Sequence, residues 1–99
     1  MIIGVPKEKK PEENRVALTP AGTEILKRNG HQVLVESGAG SASGFDDGLY
    51  ARFGAEITEG CEDIFQRAEM LLRVKAPQPD EFERIRERQI YFSYLHLAA

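Results

Sequence analysis

Residues Met1–Val35, MIIGVPKEKKPEENRVALTPAGTEILKRNGHQVLV, decide how this chain folds. The apolar run Ile2–Val5 reads as a strand, and Pro6 breaks it into a charged loop. Pro20–Asn29 reads as a helix. Thr19 is a good N-cap, and Pro20 takes the first helical position, where its missing N–H costs nothing. Ala21, Ile25 and Leu26 give that helix one apolar face, and Gly30 can end it in a left-handed conformation. Val33–Val35 then returns as a second strand. A strand, a helix and a further strand in this order form the crossover unit of a parallel sheet.

The rest of the chain repeats the alternation. Asp46–Phe53 reads as a short helix stopped by Gly54, Ala55–Ile57 as a brief strand and Cys61–Arg67 as another short helix. Glu69–Val74 (EMLLRV) is too apolar for a surface strand and suits an interior position in a parallel sheet. Pro77 and Pro79 set a turn, with Pro79, Asp80 and Glu81 opening a helix that runs to about Glu87. Phe82 and Ile85 are its expected inward pair, and Glu83, Arg84, Arg86, Glu87 and Arg88 its solvated face. Gln89–Leu95 (QIYFSYL) reads as a fifth strand. The expected class is α/β, a parallel sheet with alternating helices on both faces.

Ninety-nine residues make one small domain, and 41% hydrophobic with 29% charged residues is ordinary for a soluble globular protein. A net charge of -3 without a basic block argues against nucleic acid as a partner. No apolar run approaches the roughly 20 residues that span a bilayer, and no signal-peptide pattern opens the chain, so no membrane partner and a cytoplasmic location are expected. Cys61 stands alone, which excludes an intrachain disulfide. Its sequence neighbours Glu59, Glu62 and Asp63 are acidic, whereas a low-pKa thiol needs basic ones, so it reads as a small semi-buried residue at a helix start. His31 reads as a surface turn residue. Two histidines 65 positions apart and one cysteine have no metal-ligand spacing. Ser37–Gly44 (SGAGSASG) looks like a dinucleotide fingerprint, but its third glycine falls one residue late for G-x-G-x-x-G. No long helix follows and no acidic-ended strand lies about 20 residues on, so a flexible turn is the expectation and no cofactor-binding residue is assigned.

In parallel sheets ligands bind beyond the carboxyl ends of the strands. Arg15 lies on the loop after the first strand, Lys75 at the end of the fourth and His96 at the end of the fifth. Each alone fits a bland role: a loop arginine, a strand-end lysine, a bystander histidine. Together at one sheet edge they suggest a site for a small anionic carbonyl compound such as a 2-oxo acid. The Arg15 guanidinium can fork onto a carboxylate. Lys75 can hold the carboxylate or the keto oxygen, and His96 titrates near neutral pH and suits a proton transfer.

Six stretches carry a resemblance: GVPKE (4–8), NRVALTPAG (14–22), NGHQVLVESGAG (29–40), GAEI (54–57), LLRVKAP (71–77) and YLHLAA (94–99). In this order and spacing the chain resembles the amino-terminal domain of alanine dehydrogenases. Their superfamily also contains proton-translocating nicotinamide nucleotide transhydrogenase, whose alpha chains usually lack the histidine at the place of His96. Pro11 and Glu12 depart from the asparagines common in the family. The resemblance implies a flavodoxin-like or Rossmann-like fold and a reversible, NAD-dependent deamination of L-alanine to pyruvate and ammonium. It implies Arg15 and Lys75 as substrate-binding residues, His96 as the acid/base group, and homo-oligomeric assembly. Residues 1–99 are then expected to be the substrate-side domain, an incomplete domain without the NAD-binding Rossmann domain and inactive without a partner segment. The alternatives are a non-catalytic small-molecule or protein-binding module, or a transhydrogenase alpha-chain domain.

Overall fold

The computed structural model describes residues 1–9 and 13–93. Five strands, β1 (Ile2–Val5), β2 (Gln32–Glu36), β3 (Glu56–Thr58), β4 (Met70–Arg73) and β5 (Ile90–Ser93), form one sheet in the order β3-β2-β1-β4-β5. Every neighbouring pair is parallel. The chain first builds outward from β1 to β3, then returns to place β4 on the other side of β1. Strand order therefore reverses between β1 and β4, the Rossmann-like switch point beyond which ligands bind in such sheets.

Helices α1 (Pro20–Arg28), α2 (Asp47–Arg52) and α3 (Cys61–Arg67) connect the strands. Thr19 caps α1 by accepting from the Gly22 amide at 3.1 Å, and Gly30, at φ 88°, turns the chain out of it. Asp46 caps α2 in the same way through the Leu49 amide at 2.8 Å. Side chains alternate across the strands. Ile3, Val5, Val33, Val35, Leu72 and Val74 face one layer with Tyr50 of α2, and Leu26 of α1 packs against it. Leu34 and Leu71 face the other layer with Ile64, Phe65 and Ala68. Each such fully buried side chain contributes about 1.5–3 kcal/mol. Gly4 lets α3 approach the central strand: a Cβ there would stand 2.5 Å from Ile64 Cγ2 and 2.9 Å from Ala68 Cβ. Helices on both faces of a parallel sheet are thus present as expected, with β4 in the interior. Among the described residues no helix is long and apolar enough to cross a membrane.

Five expectations need correction. Residues Pro79–Arg84 form a 3₁₀ helix, and Ile85 is already extended, so no α-helix runs to Glu87. With no full helical stripe to bury, Phe82 stays 59% exposed, while Ile85 alone packs against the α3 layer. Arg86 is not merely solvated: its guanidinium donates to the carbonyls of Phe65 (3.0 Å) and Ala68 (2.8 Å), closing the open end of α3 together with Gln89. The neighbourhood of Cys61 is not only acidic, because Arg84 Nη1 lies 2.9 Å from its Sγ. The glycine turn is braced rather than flexible. Gly40 is overlain by the Tyr50 ring, where a Cβ would meet Cε2 at 2.6 Å, and Asp47 accepts from Gly38 N at 2.9 Å. The fifth strand is described as far as Ser93; Tyr94, Leu95 and His96 lie outside the described residues.

Candidate functional site

Loop residues between β1 and α1 reach the switch point because their ends are pinned. Val16 and Leu18 pack on the core, and Ala17 is buried in it. Ser43 Oγ donates to the Asn14 carbonyl at 2.5 Å, and Tyr50 Oη donates to the Leu18 carbonyl at 2.6 Å. Arg15 is therefore carried between two anchored carbonyls, with its own side chain 61% exposed.

Arg15 and Lys75 meet at a single carboxylate, that of Glu13. Arg15 Nε and Nη2 donate to Glu13 Oε2 and Oε1, each at 2.9 Å, and the Arg15 amide donates to Oε2 at 2.9 Å. Lys75 Nζ stands 3.6 Å from Oε1. The Glu13 side chain is 3% exposed, so it lies beneath the two cations rather than in front of them. The hydrogen bond from the Arg15 guanidinium holds its carboxyl down from the ordinary 4.5 to about 2; burial opposes the shift without cancelling it. A depressed carboxyl stabilises the fold fully above its ordinary pKa and loses that contribution as pH falls through the lowered one. The chain should therefore lose urea resistance between about pH 4.5 and 2 more steeply than Glu13→Gln does. Asp47 and Glu56 are held down too, but they titrate in both proteins, so the difference isolates Glu13. Parallel pH profiles of the two urea midpoints would rule the contribution out.

Lys75 is placed by a second, buried network. Glu8, on the same loop, accepts from the amides of Val74 (2.9 Å) and Lys75 (3.2 Å) and from Arg73 Nε (3.1 Å). Arg73 Nη1 donates to Glu81 at 2.9 Å, and both of these side chains are wholly buried. Tyr91 Oη donates to the Lys75 carbonyl at 3.1 Å, fixing that backbone from the β5 side. Sequence reasoning missed Glu8, Glu13, Arg73 and Glu81. One signal was present: Arg73 shares the face of Leu71 in an apolar interior strand, where a charge must be paired.

A small cleft of about 140 Å³ opens beside Arg15, Glu13, Lys7 and Ala39. It is smaller than the roughly 300–1,000 Å³ of drug-sized ligand sites and suits a molecule of few atoms. A larger cleft, about 690 Å³, is lined by five carboxylates, Glu36, Glu56, Glu59, Glu62 and Asp63, against two cations, Lys9 and Arg84. That acidic lining has the wrong sign for a carboxylate substrate, so the Arg15 cleft is the better candidate. Neither offers a dinucleotide cradle. The amides of Gly38, Ala39 and Ser41 are spent on Asp47, Glu36 and Gly38, and Asp47 places a negative charge where a pyrophosphate would sit. The described residues do not fit NAD.

The site brings together two of the three expected residues, Arg15 and Lys75. His96 lies outside the described residues. β5 pairs with β4 in the register Arg73↔Ser93, so Lys75 and His96 follow paired positions by two and three residues.

A parallel α/β sheet with helices on both faces and a cationic pair at its switch point is a domain of the Rossmann-like class. Residues 4–99 match the family model described as alanine dehydrogenase/PNT, N-terminal domain. The chain belongs to that family. It is 54% identical over 99 residues to alanine dehydrogenase of Bacillus subtilis, and 52% over 98 residues to that of Methanococcus maripaludis. These matches cover 100% and 99% of this chain but 26% of each relative, so the chain spans about a quarter of their length. Among solved structures, an L-alanine dehydrogenase superposes with a TM-score of 0.89 at 40% identity, over 99% of this chain and 27% of that one. A transhydrogenase from Sinorhizobium meliloti gives 0.84 at 29% identity, over 92% and 27%.

Proposed function

We propose that this chain is the substrate-side part of an NAD-dependent alanine dehydrogenase, which converts L-alanine, water and NAD⁺ to pyruvate, ammonium, NADH and a proton. The observation that carries the proposal is the convergence of Arg15 and Lys75, from two different strand ends, on one carboxylate at the switch point. Higher identity to the alanine dehydrogenase structure than to the transhydrogenase, 40% against 29%, favours this reading over a transhydrogenase domain.

Arg15 presents its exposed guanidinium to the substrate carboxylate. Lys75 adds a second positive charge that can lie along the carboxylate or against the keto oxygen. His96 is the acid/base group at the heteroatom of the substrate carbon: as ammonia adds to pyruvate it gives a proton to the keto oxygen, so that this oxygen can leave as water. NAD supplies the hydride exchange when bound, but none of the described residues receives it, and no step is assigned to this chain through it. The whole protein is expected to be cytoplasmic and homo-oligomeric, with the cofactor carried outside residues 1–99.

The test is a chimera: the Bacillus subtilis enzyme with its matching segment replaced by this chain. The chimera should reduce pyruvate with ammonium and NADH. Arg15→Ala should raise its KM for pyruvate at least about tenfold, the weaker end of a lost charge-assisted hydrogen bond, and leave KM for NADH unchanged. An unchanged KM for pyruvate in an active Arg15→Ala chimera would remove the assignment.

A further inference from the structure

The geometry points to Glu13 as the positioning residue that aims Arg15 and Lys75 at the substrate, both of its carboxylate oxygens being engaged by the two cations. This rests on the proposed reading of the site as one for a 2-oxo acid, and deepens it by adding a residue.

A guanidinium has two edges that can each grip a carboxylate with two parallel hydrogen bonds. In Arg15 the side edge, Nε with Nη2, is taken by both oxygens of Glu13. The end edge, which includes Nη1, makes no hydrogen bond among the described residues and belongs to a side chain 61% exposed. Glu13 therefore decides which edge of Arg15 is offered. It also fixes where, because the Arg15 amide donates to the same carboxylate and locks the residue's backbone to its own side chain. Lys75 Nζ, 3.6 Å from Oε1, is drawn toward the same point from the end of β4. One buried carboxylate thus holds two cations from separate elements in register. Without it, Arg15 on an exposed loop would sample many rotamers and the fork would have to be ordered by the substrate itself.

Two effects of removing the Glu13 charge oppose each other. Losing a negative charge favours an anionic substrate, but beside the solvent-exposed Arg15 guanidinium this is worth about fivefold. Losing the orientation of a charge-assisted bidentate contact costs roughly tenfold or more. Orientation wins, and Glu13→Gln should bind pyruvate more weakly despite its more positive site.

The experiment has two readouts. In this chain, labelled at arginine, the Arg15 Nε–H should be protected from solvent exchange in the wild type and lose that protection in Glu13→Gln, while the backbone amide signals of the other arginines keep their positions. In the chimera, Glu13→Gln should raise KM for pyruvate with KM for NADH unchanged. Equal or tighter pyruvate binding in Glu13→Gln, alongside a damaged Arg15→Ala, would overturn the positioning role while leaving the substrate reading intact. If Arg15→Ala also leaves KM unaltered, the substrate reading is the one that fails. An Arg15 Nε–H that exchanges equally fast in both proteins overturns the positioning role in either case.

Discussion

Arg73→Ala should destabilise the chain by about 3–5 kcal/mol, the cost of removing one partner from a buried ion pair. Arg73 is wholly buried between Glu81, also wholly buried, and Glu8, which is 5% exposed. Truncating it leaves two buried carboxylates to which only backbone amides donate, with no other side chain among the described residues paired to them as a cation. The cavity left by a large side chain adds to the penalty. Against a total stability of about 5–15 kcal/mol for a domain of this kind, the loss is large. Arg73 Nη2 has no hydrogen-bond partner among the described residues. Urea unfolding of the variant measures the effect. Glu81→Gln should cost less, because an amide buried beside Arg73 can still accept one hydrogen bond. An Arg73→Ala midpoint within about 1 kcal/mol of the wild type would mean that water reaches the network and the carboxylates are not stranded. Because Glu8 ties the Val74 and Lys75 amides to the first loop, the same substitution should also disturb Lys75.

His96→Ala in the chimera should cut turnover at least about 100-fold, the lower end of a positioned acid/base contribution. The keto oxygen of a 2-oxo acid becomes strongly basic as ammonia adds to its carbon, and to leave as water it needs a proton delivered at that moment rather than from bulk water. An imidazole can be both donor and acceptor near neutral pH, which the two cations Arg15 and Lys75 cannot. KM for NADH should hold, because the substitution touches only the proton at the substrate. The rate should also lose its dependence on pH across the neutral range. A loss of less than tenfold would reassign His96 to binding or packing.

Much of the fold was legible because its causes are local. The cap Thr19, the stop at Gly30 and the apolar run Glu69–Val74 each announce an element by residue type alone. The stretch after Pro79 was not legible in the same way. Its proline and acidic residues are good helix starters, but the helix needs a continuous apolar face, and only Ile85 finds one. Arg86 looked like a surface charge because its partners are carbonyls of α3, some 20 residues earlier in the chain. Arg15 and Lys75 were legible as strand-end cations. Their meeting at Glu13 was not, since a carboxylate two residues from an arginine reads equally well as a solvated pair.

By itself the sequence determined the order and type of most elements, their parallel pairing and the edge at which the cations gather, because periodicity, caps and strand direction are written residue by residue. Only the tertiary structure decided that β4 returns beside β1, that Glu8 and Arg73 clip the first loop to it, and that Glu13 lies beneath Arg15 and Lys75. The physical reason is burial. A charge changes its partners and its role once water is excluded around it, and which charges lose water depends on packing between segments far apart in the chain.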